Sequence, residues 1–177
     1  MEHAERLLTA AGELFYRRGI QAVGMDDVRA ASGVSLKRLY QCFPSKEALV
    51  VAYLERRDER WMDSLTSYVA GHDDQVGAVF GWLERWFGEE DFRGCGFVNA
   101  YGELGATSEA VAEVVRGHKR RLRAYLRGLV ADDLTAEQLL VLVDGATVTA
   151  MVDPERGAAA ARAAAKAAHA VTAACRG

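Results

Sequence analysis

Met25-Asp26-Asp27-Val28-Arg29-Ala30-Ala31-Ser32-Gly33-Val34-Ser35-Leu36-Lys37-Arg38-Leu39-Tyr40-Gln41-Cys42-Phe43-Pro44-Ser45-Lys46-Glu47-Ala48-Leu49 is the stretch that decides the fold. Met25 to Ser32 reads as a helix, with Asp26 and Asp27 at the positive end of its dipole. Gly33 is placed to end that helix in the left-handed conformation that only glycine adopts cheaply. Two residues later Ser35 offers its hydroxyl to the orphan amides of a further helix, Leu36 to Phe43, which must stop before Pro44. Ser45 with Glu47 opens the next one. Two helices joined by about three residues containing a glycine form a helix-turn-helix, whose second helix can enter the DNA major groove. Charge agrees: Arg29, Lys37, Arg38 and Lys46 are the only charged residues from Arg29 to Lys46, and all are basic.

This run resembles the DNA-binding domain of TetR-family regulators. The resemblance rests on the Gly33-Val34-Ser35 turn, the Leu39-Tyr40 pair, Phe43, and Ser45-Lys46-Glu47-Ala48-Leu49. It covers residues 1 to about 50 strongly. Further on it is limited to length, an all-helical layout, and Gly94-Cys95-Gly96-Phe97-Val98-Asn99-Ala100, which is similar to a stretch in some AcrR-type members. By residue chemistry, Lys37, Arg38 and Gln41 suit base edges or phosphates, while Tyr40 and Lys46 suit the DNA backbone. The resemblance implies the same phosphate role for Tyr40 and Lys46. Met25, Arg29, Ser35 and Cys42 complete the expected DNA-facing set. Met25 stands where the family often has a threonine capping the second helix, and Cys42 where a histidine often touches DNA. An exposed Cys42 would make DNA binding sensitive to oxidation, and a buried one would be inert.

On the N-terminal side, Leu7, Leu8, Ala11, Leu14 and Phe15 form one apolar stripe of a helix that stops near Gly19. On the C-terminal side, a fourth helix runs to about Gly71 and a fifth carries Val76, Val79, Phe80, Leu83, Trp86 and Phe87 on one face. A loop over Asp91–Gly96 precedes a short helix, Phe97 to Leu104. Thr107 is expected to open a long helix, Thr135 with Gln138 to cap the next, and Pro154 to start a last one from Glu155 to Cys175. The expected fold is all-α with about nine helices. A three-helix DNA-binding unit (residues 1–50) continues into an antiparallel helical bundle for ligand binding and dimerisation (residues 51–177).

Composition bounds this reading. The 177 residues are 50% apolar, and 31 alanines against 2 prolines favour helix. The net charge of −3 argues against a nucleic-acid binder until the chain is divided. Residues 1–50 hold 7 basic and 6 acidic side chains, and residues 51–177 hold 15 and 19. The total therefore averages a small basic patch over an acidic bundle. Cys42, Cys95 and Cys175 lie too far apart for a disulfide framework or a zinc site. No signal peptide is visible, and the apolar run Leu139 to Val152 is interrupted by Asp144 and Gly145. A cytoplasmic protein without membrane, metal or cofactor is expected. The four histidines (His3, His72, His118, His169) are scattered, with no nucleophile elbow or phosphate-cradling loop, so an enzyme has no sequence support.

The second half is rich in aromatics, which serve either a core or a small-molecule pocket. The candidate ligand set is Trp61, Leu65, Tyr68, Trp82, Trp86, Phe97, Asn99, Tyr101, Glu103, His118, Tyr125, Asp144 and Thr147. Cys95, Asn99 and Glu103 would line one face of the short helix, while His118 and Asp144 are polar groups set in apolar stripes. The final alanine-rich helix keeps one stripe wet with Arg162, Lys166 and His169. With Leu139, Leu140, Leu142, Val143, Thr147 and Met151 of the preceding helix it is expected to form a self-complementary four-helix dimer interface, and in the family the last two helices dimerise in this way. The resemblance thus implies a homodimeric regulator, most often a repressor, bound to double-stranded, pseudo-palindromic operator DNA and responsive to a small apolar or aromatic effector. A constitutive dimeric DNA binder is the alternative.

Overall fold

The computed structural model describes residues 2–174, and within them every regular element is helical. The helices are α1 (Glu2–Arg18), α2 (Met25–Ser32), α3 (Leu36–Cys42), α4 (Lys46–Ala70), α5 (Gln75–Phe87), α6 (Gly96–Leu104), α7 (Glu109–Leu129), α8 (Asp133–Val152) and α9 (Gly157–Ala174). A 3-10 turn, Pro154–Arg156, leads into α9. The chain forms two compact units. One comprises residues up to Glu59 together with Gly96–Gly117, and the other comprises Arg60–Cys95 with residues from His118 onward.

In the first unit, α1 packs on α2 and α3. Of the stripe expected on α1, Leu7, Leu8, Ala11 and Phe15 are buried and Leu14 half-buried, and they are joined by Val28, Val34, Leu39 and Phe43 from the helix-turn-helix. Phe15 meets the Tyr53 ring edge-on at 5.6 Å. Gly33 has φ +64 and its N–H closes α2 on the Arg29 carbonyl at 3.1 Å, as a left-handed C-cap should. Ser35 caps α3 by accepting from the Arg38 amide, and Ser45 caps α4 by accepting from the Ala48 amide.

In the second unit, α5, α8 and α9 pack together around a core that includes Leu65, Phe80, Leu83, Leu122, Leu126, Leu139 and Val143. Small residues permit the closest approach: a Cβ on Gly157 would lie 3.2 Å from Cβ of Phe87 and 3.4 Å from Cβ of Ala150. Along α7 and α8, Lys119 pairs with Asp144, Arg123 with Glu137 and Arg127 with Asp133.

Several boundaries differ from the sequence expectation. α8 starts at Asp133 because Asp132, not Thr135, is its cap. The Asp132 carboxylate accepts from the Thr135 amide at 2.9 Å and from its hydroxyl at 2.7 Å, so Thr135 is buried within the first turn. α7 is capped by Ser108, whose hydroxyl accepts from the Val111 amide, while the Thr107 hydroxyl donates back to the Leu104 carbonyl. α6 begins at Gly96, leaving Cys95 outside the helix face proposed for it. α3 ends at Cys42, with Phe43 as its cap. The end of α9 expected at Cys175 lies outside the described residues.

Candidate nucleic-acid interface

The α3 helix is two-sided. Leu39, and Phe43 one turn on, are buried against the first unit, whereas Lys37, Arg38, Tyr40 and Gln41 are exposed. Lys37, Tyr40 and Gln41 recur at i, i+3 and i+4, which sets them on one outward face. Their side chains and that of Arg38 have no hydrogen-bond or ion-pair partner among the described residues, and Tyr40 is 46% exposed. A row of unspent donors on a helix held by a buried opposite face is what a polyanionic groove requires.

The remaining expected DNA-facing residues flank that row. Lys46, at the start of α4, reaches the Gln21 carbonyl at 3.5 Å. Arg29 pairs with Asp26 at 3.1 Å on the surface of α2, an exposed contact of small energy that is readily exchanged. Met25 is half-buried as the first residue of α2. The Gly24 amide beside it donates to the Asp27 carboxylate at 2.8 Å. That bond, with the charges of Arg18 and Lys46, holds Asp27 below the ordinary carboxylate range. The Ser35 hydroxyl is used as the α3 cap, and Cys42 is half-buried.

Sequence reasoning missed the tethers behind this face. Arg6 Nη2 donates to the Ser32 carbonyl at 2.6 Å, fastening α1 to the turn. Glu103, expected among the ligand residues, accepts instead from the amides of Ile20 and Gln21. Neither contact has a signal in local spacing, because partners 26 and more than 80 residues apart leave no periodic trace.

The other candidate ligand residues divide between the units. Phe97 is buried, Asn99 half-buried and Tyr101 exposed, all on α6. In the second unit Trp61 meets Trp82 at 4.9 Å, Trp86 at 5.9 Å and His118 at 5.1 Å, each edge-on. His118 is only 2% exposed. Leu65 lies in the core, and burial pushes the Tyr125 phenol up. Asp144 is bound to Lys119, and the Thr147 hydroxyl donates to the Val143 carbonyl within α8. Tyr68, Trp82 and Trp86, with Ser64, Ser67, Arg85 and Glu89, line an open groove of about 360 Å³.

Comparison with known proteins matches this geometry. The model of bacterial regulatory proteins of the tetR family matches residues 7–53, the region that carries the basic face. A solved TetR-type transcriptional regulator from Streptomyces avermitilis is 30% identical, with a TM-score of 0.77, over 96% of this chain and 99% of that one. This chain belongs to the TetR family. A TetR-family regulator from Streptomyces coelicolor is 27% identical with a TM-score of 0.88 over 97% of both chains. Among curated relatives, the transcriptional activator FasR of Mycolicibacterium smegmatis is 44% identical over 68 residues, which is 38% of this chain and 29% of FasR. The TetR-family chain is thus a DNA-binding transcriptional regulator, and members of its family are generally not enzymes.

Proposed function

We propose that the chain acts as a cytoplasmic homodimeric repressor. Two α3 helices dock in successive major grooves of a pseudo-palindromic operator, and a small apolar or aromatic effector releases them. The observation that carries the DNA half is the exposed, unpartnered face of Lys37, Tyr40 and Gln41 with Arg38 beside it, in a stretch without a single acid. Lys37, Arg38 and Gln41 read bases or phosphates, and Tyr40 and Lys46 grip the backbone. Met25, Arg29, Ser35 and Cys42 border the same face.

Of the α8 residues expected in a dimer interface, Leu139, Val143 and Thr147 are instead buried within the unit, so dimerisation is supported by a different, outer face of α8. Leu134, Val141, Val148 and Val152 are 68%, 66%, 44% and 75% exposed. The first three recur every seven residues, and the fourth follows one turn later, so they form one apolar stripe. By length and composition α8 could cross a bilayer. Asp144, paired with Lys119 midway along it, would be costly there, and a second copy is the better cover. The effector is assigned to the aromatic groove of Tyr68, Trp82 and Trp86, whose volume is in the range of small-molecule sites. Only an effector that binds one conformer more tightly can release DNA, so effector and operator must weaken each other reciprocally.

The test uses the duplex that the wild-type chain selects from a random pool. Tyr40→Phe with Lys46→Ala should weaken binding to all duplexes. It should also reduce the salt slope by roughly 1–2 units, about 0.9 for each phosphate that is no longer neutralised. An unchanged slope and affinity would refute the phosphate role of these two residues. A screen of small aromatic compounds by thermal shift tests the effector, since a ligand of the folded state raises Tm. Uniform failure would favour constitutive binding.

A further inference from the structure

The corner between α6 and α7 belongs to the same compact unit as the helix-turn-helix, although it lies about sixty residues further along the chain. It grips that unit at two points. At the first, Gly19 adopts φ +84 and turns the chain after α1. The next two amides point the same way: Ile20 N–H donates to Glu103 Oε1 at 3.0 Å and Gln21 N–H to Oε2 at 2.7 Å. The Gln21 side-chain amide then donates to the Glu103 carbonyl at 2.6 Å. At the second point the Ser108 hydroxyl donates to Glu47 Oε1 at 2.5 Å while capping α7.

Both grips converge on one residue. Lys46 lies between them: its ammonium donates to the carbonyl of Gln21, whose amide Glu103 holds, and its sequence neighbour is Glu47, which Ser108 holds. Both grips are charge-assisted, since each ends on a carboxylate, and the Glu103 grip is the firmer because it gathers two backbone amides and the Gln21 side-chain amide against a single hydroxyl. A long lysine side chain loses considerable rotamer freedom when it is held, so a prepositioned Lys46 loses less on meeting a phosphate. We propose that Glu103 and Ser108 are positioning residues for operator binding, which set the α1–α2 turn and Lys46 in register with the α3 reading face. The proposal rests on the phosphate role assigned to Lys46 above.

The experiment compares full-length wild type, Glu103→Ala, Glu103→Gln and Lys46→Ala on two probes: the duplex selected by wild type and a shuffled duplex of the same length. Glu103→Ala should weaken the selected duplex by about tenfold and the shuffled one by a smaller factor, because the Lys46 phosphate contact serves every duplex whereas register matters only to the specific complex. Glu103→Gln keeps one acceptor oxygen and should fall between. Amide exchange at Ile20 and Gln21 should quicken in the same order. Adding Lys46→Ala to Glu103→Ala should cost less than Lys46→Ala costs in wild type, since the held geometry is already gone. If Glu103→Ala and Glu103→Gln bind the selected duplex as wild type does, or if the Lys46 and Glu103 effects simply add, the positioning role is overturned. If Lys46→Ala alone changes neither affinity, the phosphate assignment fails instead, and the proposal falls with it.

Discussion

Gly33→Ala is the sharpest test of how the helix-turn-helix is held together. At φ +64 an alanine costs about 1–2 kcal/mol because its Cβ crowds the following carbonyl. The new Cβ would also lie 2.9 Å from Arg6 Nη2, the atom that donates to the Ser32 carbonyl. The flexible arginine can swing aside, losing a partly exposed hydrogen bond of roughly 0.5–1.5 kcal/mol. Restricting the unfolded chain returns about 0.4–1 kcal/mol. The net loss is about 2 kcal/mol, small against the roughly 5–15 kcal/mol of a folded domain, so the variant folds. For a chain of this size it should lower Tm by about 4–8 °C. Thermal unfolding followed by circular dichroism reads the shift directly. Gly33→Asn, which tolerates the left-handed region, should recover about half of it. In an Arg6→Ala background the penalty of Gly33→Ala should shrink to the strain alone, about 1 kcal/mol. A Gly33→Ala chain melting within about 1 °C of wild type would refute both the left-handed cap and the Arg6 tether as energetic features.

Val141→Glu places a carboxylate in the middle of the exposed α8 stripe and, in a symmetric pair, puts two of them into one apolar interface. Sedimentation should show the wild type dimeric at micromolar concentration and the variant monomeric. A wild type that stays monomeric would remove the dimer reading. Asp27 gives a pH prediction. Its carboxyl is depressed first by the Gly24 amide, so it stabilises the fold above its ordinary value of about 4 and loses that contribution as pH falls through the lower folded value. Relative to Asp27→Asn, the wild type should therefore hold a constant advantage above about pH 5 that is lost progressively as pH falls below the ordinary carboxylate value. Urea titrations of both chains at several pH values decide it, and an advantage that grows on acidification would contradict the assignment.

The helix-turn-helix was legible in the sequence because its instructions are local. Gly33, Ser35 and Pro44 act on backbone within four residues of themselves, and the period of Leu7, Ala11 and Phe15 marks the face that must be buried. Cap choice was less legible. Thr135 and Gln138 satisfied a local pattern, but Asp132, three residues earlier, binds both the amide and the hydroxyl of Thr135, and two bonds to a carboxylate outweigh one to a hydroxyl. Polar residues on apolar faces were the least legible. For Asp144 and Glu103 the sequence left open a ligand contact or a partner within the bundle, and each is engaged by a group far along the chain, Lys119 and the Ile20–Gln21 amides. The sequence by itself therefore determined the helices, their buried stripes and the exposed basic face of α3, since each follows from propensity, capping and period within a few turns. Only the tertiary structure decided which polar side chains brace that face, because hydrogen bonding between distant segments depends on where the packed helices bring their backbone amides.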